Sequence, residues 1–389
     1  MTADYGMGYD TYGHTPLDKA FGQGDVYGVA YDAARAARPL VRIALIGAGG
    51  VAQSKYFPAV ARLRMIWEPV EIVAFAEPRE EHGRKVQAIY GGKWYRDYQD
   101  MLAEEAFQAV IVLSPDNLHA EHVRATLDAG RHVLVEKPIT RSLPDAQQIC
   151  QMADDKHLCL MSVANKRLSP PYRRLKRFIE SGPLHNPALY SAKFNLGYDY
   201  VDLFESGTIH LFDLTRYLMG DVRSVYASGV NRYGRNTRHY PVDSAALTLE
   251  FVSGAVGSIT TSSTALSLKP WERVEVYGDH AWAAVEDQLE LILYDGEAAA
   301  TQSWRPAVPN TLLFDEEFGG YMWLIENFVQ SIRGNEQPVV TGWDGYRALE
   351  ILRATQMSLH QHQSVTLPLT PDSAEAEAQE WLRSSGWNG

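Results

Sequence analysis

The types and spacing of His210 and Asp213 suit them to acid–base chemistry. They lie three residues apart in the helix-like run TIHLFDLTRYLMG, so their side chains should share one helix face. Histidine is the side chain whose ordinary pKa best suits proton exchange near neutral pH, and the aspartate could orient the imidazole or bind a hydroxyl group. A packed structural histidine and a surface acid are the alternative interpretations.

A glycine-rich turn stands much earlier in the chain, between an apolar run and a helix-like segment. The letters GAGGVA at 47–52 follow the run VRIALI directly and give the pattern GxGxxA. The first glycine permits a tight turn, the second lets a pyrophosphate approach the backbone, and the final alanine allows close packing of the helix. Because a helix N-terminus also attracts phosphate, the turn predicts a dinucleotide site.

The second apolar run, EIVAFAE, ends at Glu77, where a dinucleotide-binding sheet places the group that meets the adenosine ribose. A carboxylate there binds the ribose hydroxyls and repels a 2′-phosphate, so Glu77 favours NAD as the cofactor. Arg79 follows two residues later and would attract that phosphate, which keeps NADP as the alternative. A solvated loop arginine is the simpler interpretation of Arg79.

Two further polar segments follow apolar runs and should lie at the carboxyl ends of strands, where open parallel sheets bind ligands. SPDNLH occupies 114–119 after AVIVL, and EKP occupies 136–138 after HVLV. Lys137 would lie near the positively charged nicotinamide ring of a bound dinucleotide and away from water. Both conditions disfavour its charged form, so the pKa of Lys137 would approach the working range of an acid–base group. A structural ion pair is the alternative for this lysine.

The elements that must position these residues fall into two regimes. In 41–165, short apolar runs alternate with helix-like segments, which predicts an α/β domain of Rossmann type with a parallel sheet. In 166–370, strand-like runs follow one another, which predicts an α+β domain with a mostly antiparallel open sheet. Residues 1–40 are interpreted as an extension, either a disordered tail or an arm across a neighbouring subunit, and 371–389 as a solvated helix or tail.

Together these segments resemble the glucose-fructose oxidoreductase, inositol dehydrogenase and rhizopine catabolism family, known as Gfo/Idh/MocA. The glycine turn and EKP carry the resemblance, and NKR with SP at 165–170, GTIHLFDLTRYLMG and MSLHQHQSVTLPL extend it to about Leu367. The resemblance implies an oxidoreductase that transfers hydride between a nicotinamide and a hydroxyl or keto carbon of a sugar, a cyclitol or a sugar derivative.

The predicted site follows from these motifs and from the resemblance. The predicted catalytic residues are Lys137, His210 and Asp213, with Lys137 or His210 accepting the hydroxyl proton. The predicted cofactor-binding residues are Gly47, Gly49, Gly50, Val51, Ala52, Glu77, Arg79, Ser114, Pro115, Asn117, His119, Glu136, Lys137 and Arg167. Two rival functions stay open: a reductase of a non-sugar carbonyl compound, and a non-catalytic dinucleotide-binding sensor or assembly subunit.

One position departs from the family's pattern. Many relatives carry an aspartate four residues before the histidine, but Ser206 occupies that position here. Glu205 could take its place by a small shift, or Tyr198 and Tyr200 could supply the proton, as tyrosines do in some branches of the family. The identity of the proton relay is therefore open.

The bulk composition excludes several classes of protein. With 36 Lys and Arg against 48 Asp and Glu, the formal net charge is −12, which gives no general attraction for nucleic acid or anionic membranes. Two cysteines provide neither a disulfide framework nor four zinc ligands. No apolar run approaches the roughly 20 residues that span a bilayer. We therefore expect a cytoplasmic protein that acts on a small molecule. The resemblance implies no bound metal, and it implies a homodimer or homotetramer formed through the substrate-binding and oligomerisation domain at 166–370.

Two other features have a plain explanation. His360 and His362 resemble a metal pair, but no third ligand stands near them in the sequence. The basic run RRLKR at 173–177 is most simply a solvated helix face, although it could hold the phosphate of a nucleotide sugar.

Overall fold

The computed structural model describes residues 32–182, 184–197, 202–233, 241–265, 270–296, 301–305 and 319–385. The chain divides into two compact units. Of the described residues, the first unit contains those up to 141, 148–168 and 319–342, and the second contains 142–147, 169–305 and 343–385. Residues 1–31 of the predicted extension, together with Tyr198 and Tyr200, lie outside the described residues. The domain boundaries at 40, 165 and 370 stay predictions.

The first unit is built on a parallel sheet of six strands in the order β3-β2-β1-β4-β5-β6. The strands are β1 (Val41–Ile46), β2 (Val70–Ala76), β3 (Lys93–Tyr95), β4 (Ala109–Val112), β5 (His132–Val135) and β6 (Leu160–Ser162). β4 is buried along its whole length, as expected for a strand covered by helices on both faces. The strand order reverses between β1 and β4, so the carboxyl ends of these two neighbours form a crevice suited to a ligand.

The helices follow the strands in the alternating order that the sequence predicts. In chain order they are α1 (Ala33–Ala36), α2 (Phe57–Met65), α3 (Glu80–Tyr90), α4 (Tyr98–Glu104), α5 (His119–Asp128), α6 (Leu143–Asp155), α7 (Pro170–Ser181), α8 (Ile209–Met219), α9 (Tyr321–Ile332), α10 (Gly342–Gln361) and α11 (Pro371–Ser384). Two π-helical turns, Ala52–Tyr56 and Leu203–Thr208, lead directly into α2 and α8. Two 3₁₀ turns lie at Asp116–Leu118 and Asn165–Leu168.

A helix from late in the chain completes the core of the first unit. Ile43 and Leu45 of β1 are fully buried, and Met322 and Phe328 of α9 belong to the same apolar cluster. The 319–342 segment therefore packs with the parallel sheet, although it follows the strands of the second unit in the sequence.

A buried carboxylate fixes the described start of the chain to this unit. Glu68 accepts hydrogen bonds from Arg35 of α1 at 3.0 Å, from Arg38 at 2.9 Å and from Arg333. Removing a carboxylate from water is costly, and the three surrounding guanidinium groups offset that cost. Residues 32–38 are thus anchored to the first unit.

The second unit contains a nine-stranded sheet in the order β14-β13-β12-β11-β7-β10-β9-β8-β15. Its strands are β7 (Leu189–Asn195), β8 (Val222–Val230), β9 (Ser244–Phe251), β10 (Val256–Ser262), β11 (Glu272–Tyr277), β12 (Trp282–Glu286), β13 (Glu290–Tyr294), β14 (Gln302–Trp304) and β15 (Val365–Thr366). All pairings are antiparallel except that of β7 with β10. A parallel sheet followed by a mostly antiparallel one confirms the predicted fold class.

The antiparallel sheet has one buried and one open face. Buried and exposed positions alternate along β9, as the two-residue period of a strand requires. Among the described residues, the open face carries four large apolar side chains that are 43 to 55% exposed, namely Leu189, Tyr226, Val230 and Val256. Residues 371–384 form helix α11, which buries Ala374 and Ala378 against this unit. In the described part of the chain, no helix is long and apolar enough to cross a membrane.

Candidate functional site

The glycine turn after β1 combines one closed and two open positions. Gly47 has a φ of +97°, and a Cβ there would lie 2.7 Å from the carbonyl oxygen of Leu113, so glycine alone fits this backbone. A Cβ at Gly49 or at Gly50 would meet no heavy atom within 4 Å. The first glycine therefore shapes the turn, whereas the next two leave space beside it for a bound group.

The end of this turn has the close packing that the sequence predicts. Ala52 is buried and begins the π-helical turn, while Val51 is 46% exposed. The backbone N–H groups that open this helix thus lie beside the unfilled space at Gly49 and Gly50, which is the arrangement that binds phosphate.

A cavity of about 640 Å³ opens at this edge of the sheet, within the first unit. The predicted residues that line it are Gly47, Gly49, Glu77, Arg79, Ser114 and Pro115. They come from the loops after β1, β2 and β4, which are neighbours in the sheet. The structure therefore brings together residues that the sequence could only assign to separate strand ends, and the space fits part of a dinucleotide.

Glu77 and Arg79 form an ion pair in the wall of this cavity. The guanidinium of Arg79 donates to the two carboxylate oxygens of Glu77 at 2.7 and 3.2 Å, and the Arg79 amide donates to the same carboxylate at 3.2 Å. Burial acts to raise the pKa of Glu77, but the hydrogen bonds and charge of Arg79 hold that pKa below its usual value. The carboxylate is buried while the Arg79 side chain is 67% exposed, so a ligand can take the place of the arginine.

Sequence reasoning missed two aromatic side chains in the same wall, Tyr98 and His122. Their ring centroids lie 4.5 Å apart in an edge-on contact, and Nδ1 of His122 lies 2.8 Å from the Ser114 hydroxyl. Burial lowers the pKa of His122. Their positions near the starts of α4 and α5, just beyond β3 and β4, are the signal that could have identified them.

The glutamate of the EKP segment after β5 forms its hydrogen bonds with other groups of the protein. One carboxylate oxygen of Glu136 accepts a hydrogen bond from the Tyr56 hydroxyl at 2.9 Å, and the other accepts one from the backbone N–H of Lys137 at 2.9 Å. Glu136 is buried, whereas Lys137 is half-buried. The role of Glu136 in cofactor binding stays a prediction, and its present contacts are with the protein.

His119 occupies a similar internal position. Its ring is 1% exposed, with Nδ1 lying 2.7 Å from the carbonyl oxygen of Pro138 and Nε2 lying 3.0 Å from that of Ser114. Burial lowers the pKa of His119.

The last two predicted cofactor-binding residues differ in exposure. Arg167 is buried and donates to the carbonyl oxygen of Val339 at 3.0 Å. Asn117 is exposed on the 3₁₀ turn between β4 and α5.

The second unit carries the predicted catalytic histidine. His210 and Asp213 lie on α8, as the pattern predicts, with His210 half-buried and Asp213 buried. Ser206 is half-buried in the π-helical turn Leu203–Thr208, which leads into α8.

The geometry gives Glu205 a different partner. Its carboxylate lies 3.5 Å from the guanidinium of Arg353, a fully buried side chain of α10 that also donates to Glu375 of α11 at 2.9 Å. A buried cation beside Glu205 favours a structural role for this carboxylate over a role in proton transfer.

The basic run at 173–177 is not the solvated helix face that the sequence predicts, because Arg173 is buried and Arg174, Lys176 and Arg177 are half-buried. The guanidinium of Arg174 lies 4.9 Å from the ring centre of Trp304, and Lys176 pairs with Glu180 at 3.4 Å. His360 lies 3.9 Å from a carboxylate oxygen of Glu377. Across the described residues, no group of three or more His, Cys, Asp or Glu side chains is arranged to hold a metal ion.

A six-stranded parallel sheet whose glycine turn leaves room at the switch point defines a dinucleotide-binding protein of the Rossmann class. The chain belongs to the Gfo/Idh/MocA oxidoreductase family. Residues 41–164 match the family model described as an NAD-binding Rossmann fold, and residues 204–367 match its C-terminal alpha/beta domain. The predicted family, the NAD-type cofactor and the assignment to the oxidoreductases are therefore confirmed.

Similar proteins match over most of their length. The myo-inositol 2-dehydrogenase of Thermotoga maritima is 28% identical over 341 residues, covering 84% of this chain and 98% of that protein. The scyllo-inositol 2-dehydrogenase (NAD(+)) of Bacillus subtilis is 26% identical, with coverages of 84% and 96%. The structure of the WlbA dehydrogenase from Bordetella pertussis with NADH and UDP-GlcNAcA has a TM-score of 0.69 at 22% identity, covering 85% of this chain and 100% of that one. At this identity the structural similarity shows the fold.

Proposed function

We propose that this protein is an NAD-dependent dehydrogenase or reductase acting on a hydroxyl- or keto-bearing carbon of a cyclitol, a sugar or a sugar derivative. The observation that carries the proposal is the cavity at the carboxyl edge of the parallel sheet, where an open glycine turn and a buried carboxylate meet. Relatives that match over most of their length are named inositol dehydrogenases, which supports a polyhydroxylated substrate.

Two groups of residues in the cavity support the assignment of NAD as the cofactor, the glycines at one end and Glu77 at the other. The backbone at Gly49 and Gly50 would hold the pyrophosphate, since no protein atom fills the space beside these glycines. The ribose hydroxyls would displace Arg79 and donate hydrogen bonds to the Glu77 carboxylate. Because the carboxylate is ionised and buried, it disfavours a 2′-phosphate, and we propose NAD over NADP.

The proton is assigned to this chain's own side chains. The bound nicotinamide supplies the hydride acceptor or donor. We assign the substrate's hydroxyl proton to Lys137 or His210 during oxidation, and the same group returns it during ketone reduction. Asp213 is three residues beyond His210 on α8 and would orient the imidazole. Tyr198 and Tyr200 stay alternative proton donors, and both lie outside the described residues.

Assembly and location are part of the same proposal. The open face of the antiparallel sheet exposes Leu189, Tyr226 and Val256, and apolar groups on a sheet face favour pairing with a second copy. We propose a homodimer or homotetramer in the cytoplasm, where a nicotinamide-dependent enzyme has access to its cofactor. Light scattering that shows only a 43.5 kDa monomer at micromolar concentration would contradict the assembly.

A turnover experiment tests the function. NADH formation would be followed with inositols, sugars and nucleotide sugars as alcohols, and NADH consumption with keto-sugars and simple carbonyl compounds, each with NADP(H) in parallel. We expect turnover of at least one polyol with NAD. Turnover of non-sugar carbonyls alone would favour the carbonyl reductase, and cofactor binding without any turnover would favour the sensor; either result would overturn the proposal.

A further inference from the structure

Two buried side chains that the proposed reaction does not use hold the backbone on either side of Lys137. We propose that His119 and Tyr56 are positioning residues: His119 fixes the carbonyl side of Lys137 to the cofactor cavity wall, and Tyr56 fixes its amide side through Glu136. We call these three residues, His119, Tyr56 and Glu136, the brace. The inference rests on the proposed function of Lys137 and deepens it.

His119 joins two neighbouring loops. Ser114 follows β4 and lines the cavity, whereas Pro138 follows Lys137 after β5, and β4 and β5 are adjacent parallel strands. The rigid ring reaches the carbonyl oxygen of Pro138 from Nδ1 and that of Ser114 from Nε2. Since a planar ring separates its two nitrogens by a fixed distance, His119 sets the spacing between the cavity wall and the residue after Lys137.

The surroundings of His119 favour positioning over direct ligand binding. The side chain is 1% exposed, and each ring nitrogen already faces a carbonyl oxygen at hydrogen-bond distance. The neutral ring donates to one of these oxygens and the protonated ring to both, but in neither form does a ring nitrogen point to open space. His119 can therefore affect cofactor or substrate only through Ser114 and Pro138.

Tyr56 holds the other side of Lys137. Its ring is fully buried and meets the ring of Tyr321 edge-on, with centroids 5.6 Å apart. Its hydroxyl donates to one oxygen of Glu136, whose other oxygen accepts the Lys137 amide. Burial, with the neighbouring carboxylate, raises the pKa of Tyr56 well above its usual value, so the hydroxyl keeps the proton that it donates.

The consequence is a lysine whose backbone is held on both sides, by Glu136 at its amide and by His119 through Pro138. Tyr56 ends the π-helical turn that starts at Ala52, so the element that follows the glycine turn also locates Lys137. A reacting group held this way meets its partner in few orientations, and misplacement by about 1 Å can cost a hundredfold in rate. Loss of the contacts that flank Lys137, at Pro138 and at the Lys137 amide, should therefore lower kcat. Loss of the contact between His119 and Ser114 should instead weaken cofactor binding.

Two conservative substitutions separate the two contacts of His119. An asparagine amide lies close to the position of Nδ1 and a glutamine amide close to that of Nε2, so His119→Asn keeps the Pro138 contact and His119→Gln keeps the Ser114 contact. For His119→Asn we expect a Kd for NAD that rises roughly tenfold with kcat changed little. For His119→Gln we expect kcat to fall roughly tenfold to a hundredfold with the Kd for NAD changed little.

Further variants complete the experiment. Tyr56→Phe removes only the hydroxyl and should lower kcat as His119→Gln does, without changing NAD affinity. His132→Asn is the matched control, because His132 accepts from the Cys159 amide at 3.0 Å at the opposite end of β5, and asparagine keeps that acceptor. It should leave kcat and NAD affinity unchanged. Thermal unfolding of each variant shows whether it is folded at the assay temperature.

The result that overturns the brace differs from the result that overturns the proposed function. If the unmodified protein turns over substrate but His119→Asn and His119→Gln change kcat and Kd in the same proportion, His119 is merely structural. If no substrate turns over, the brace is tested by the acylation rate of the Lys137 amine, read by mass spectrometry. That rate should change in His119→Gln and Tyr56→Phe but not in His119→Asn, and equal rates in all three would overturn the inference.

Discussion

Glu77 and Glu136 are the same residue type in the same kind of place, yet the structure uses them differently. Each is a buried glutamate directly after a strand of the parallel sheet, Glu77 after β2 and Glu136 after β5. Glu77 pairs with Arg79, whose side chain is largely exposed, and it lines the cavity. Glu136 pairs with Tyr56 and with the Lys137 amide, both internal groups.

The difference shows that a position at a strand end does not by itself determine the role of a carboxylate. A ligand can replace the hydrogen-bond partner of a buried carboxylate only where that partner is exposed to solvent. Arg79 can move into water when the hydroxyl groups of a ligand take over its hydrogen bonds to the buried carboxylate, because the arginine side chain is itself largely exposed. Tyr56 cannot leave Glu136 without burying an unsatisfied hydroxyl, which costs about 1 to 3 kcal/mol. Glu77 is thus available to a cofactor, and Glu136 is suited to hold Lys137.

The largest effect is expected at Lys137, the residue that Glu136 holds. Lys137→Ala should lower kcat by roughly 10² to 10⁴, the usual contribution of acid–base catalysis, while NAD binding changes little. Lys137→Arg should not rescue kcat, because arginine keeps the charge but does not readily release a proton. Stopped-flow turnover and a fluorescence titration with NAD would measure the two quantities.

His210→Ala provides the parallel measurement for the second unit and should lower kcat by a similar factor. Near-normal kcat in Lys137→Arg would remove the catalytic role of Lys137. The proton would then be assigned to His210 or to one of the tyrosines at 198 and 200.

The sequence predicts the strand-end loops well because each motif is local. Gly47, Glu77 and Ser114 all line the cavity, and each was identified from a turn that directly follows an apolar run. Parallel topology then brings the carboxyl ends of neighbouring strands together. The position of α8 could be predicted for the same reason, since helical period and the 210/213 spacing are local properties.

The partners of these residues could not be predicted, because nothing local specifies them. Tyr56 and Glu136 are 80 residues apart, and a tyrosine in a helix-like run gives no sign of a distant carboxylate. The same holds for Glu205 and Arg353, which meet only when α10 packs near the turn before α8. Side-chain pairing depends on tertiary packing, and the role of each strand-end glutamate follows from that pairing.

A matched pair of amides tests the comparison directly. Glu136→Gln must turn its NH₂ group toward either the Lys137 amide, which can only donate, or the Tyr56 hydroxyl, whose own proton would then lose its acceptor. We therefore expect the free energy of unfolding to fall by about 1 to 3 kcal/mol. Glu77→Gln should cost less than about 1 kcal/mol, because Arg79 returns to water. Urea unfolding of the ligand-free protein would measure both. Equal losses at the two positions would contradict the distinction between exposed and internal partners.

Substitution of Glu77 should change the preference for NAD over NADP, whereas substitution of Glu136 should not. Glu77→Ser removes the charge that repels a 2′-phosphate and leaves Arg79 without its carboxylate partner, so the preference for NAD over NADP should narrow by roughly tenfold, or about 1.4 kcal/mol. Fluorescence titrations with both cofactors would measure it, with Glu136→Gln as the control whose ratio stays unchanged. A clear preference of the unmodified protein for NADPH would contradict the assignment and shift attention to Arg79.

The smallest effect concerns the histidines at the two ends of β5. Burial lowers the pKa of His119 near the carboxyl end and of His132 at the amino end. A histidine with a lowered pKa binds fewer protons in the folded than in the unfolded protein, so its contribution to stability is complete above the unfolded pKa of about 6.5 and is lost as the pH falls below it.

Lowering the pH from about 7.5 to about 5.5 should therefore reduce the free energy of unfolding, by at most about 1.4 kcal/mol per histidine and pH unit. Carboxyl groups with ordinary pKa values titrate below this range, so the histidines dominate the expected change. His132→Asn keeps the acceptor for the Cys159 amide and removes one titrating group, so the loss measured by urea unfolding should be smaller in this variant. His119→Asn should reduce it further, because the lowered pKa of His119 leaves its ring neutral near pH 7. An unchanged loss in His119→Asn would contradict the lowered pKa of this ring.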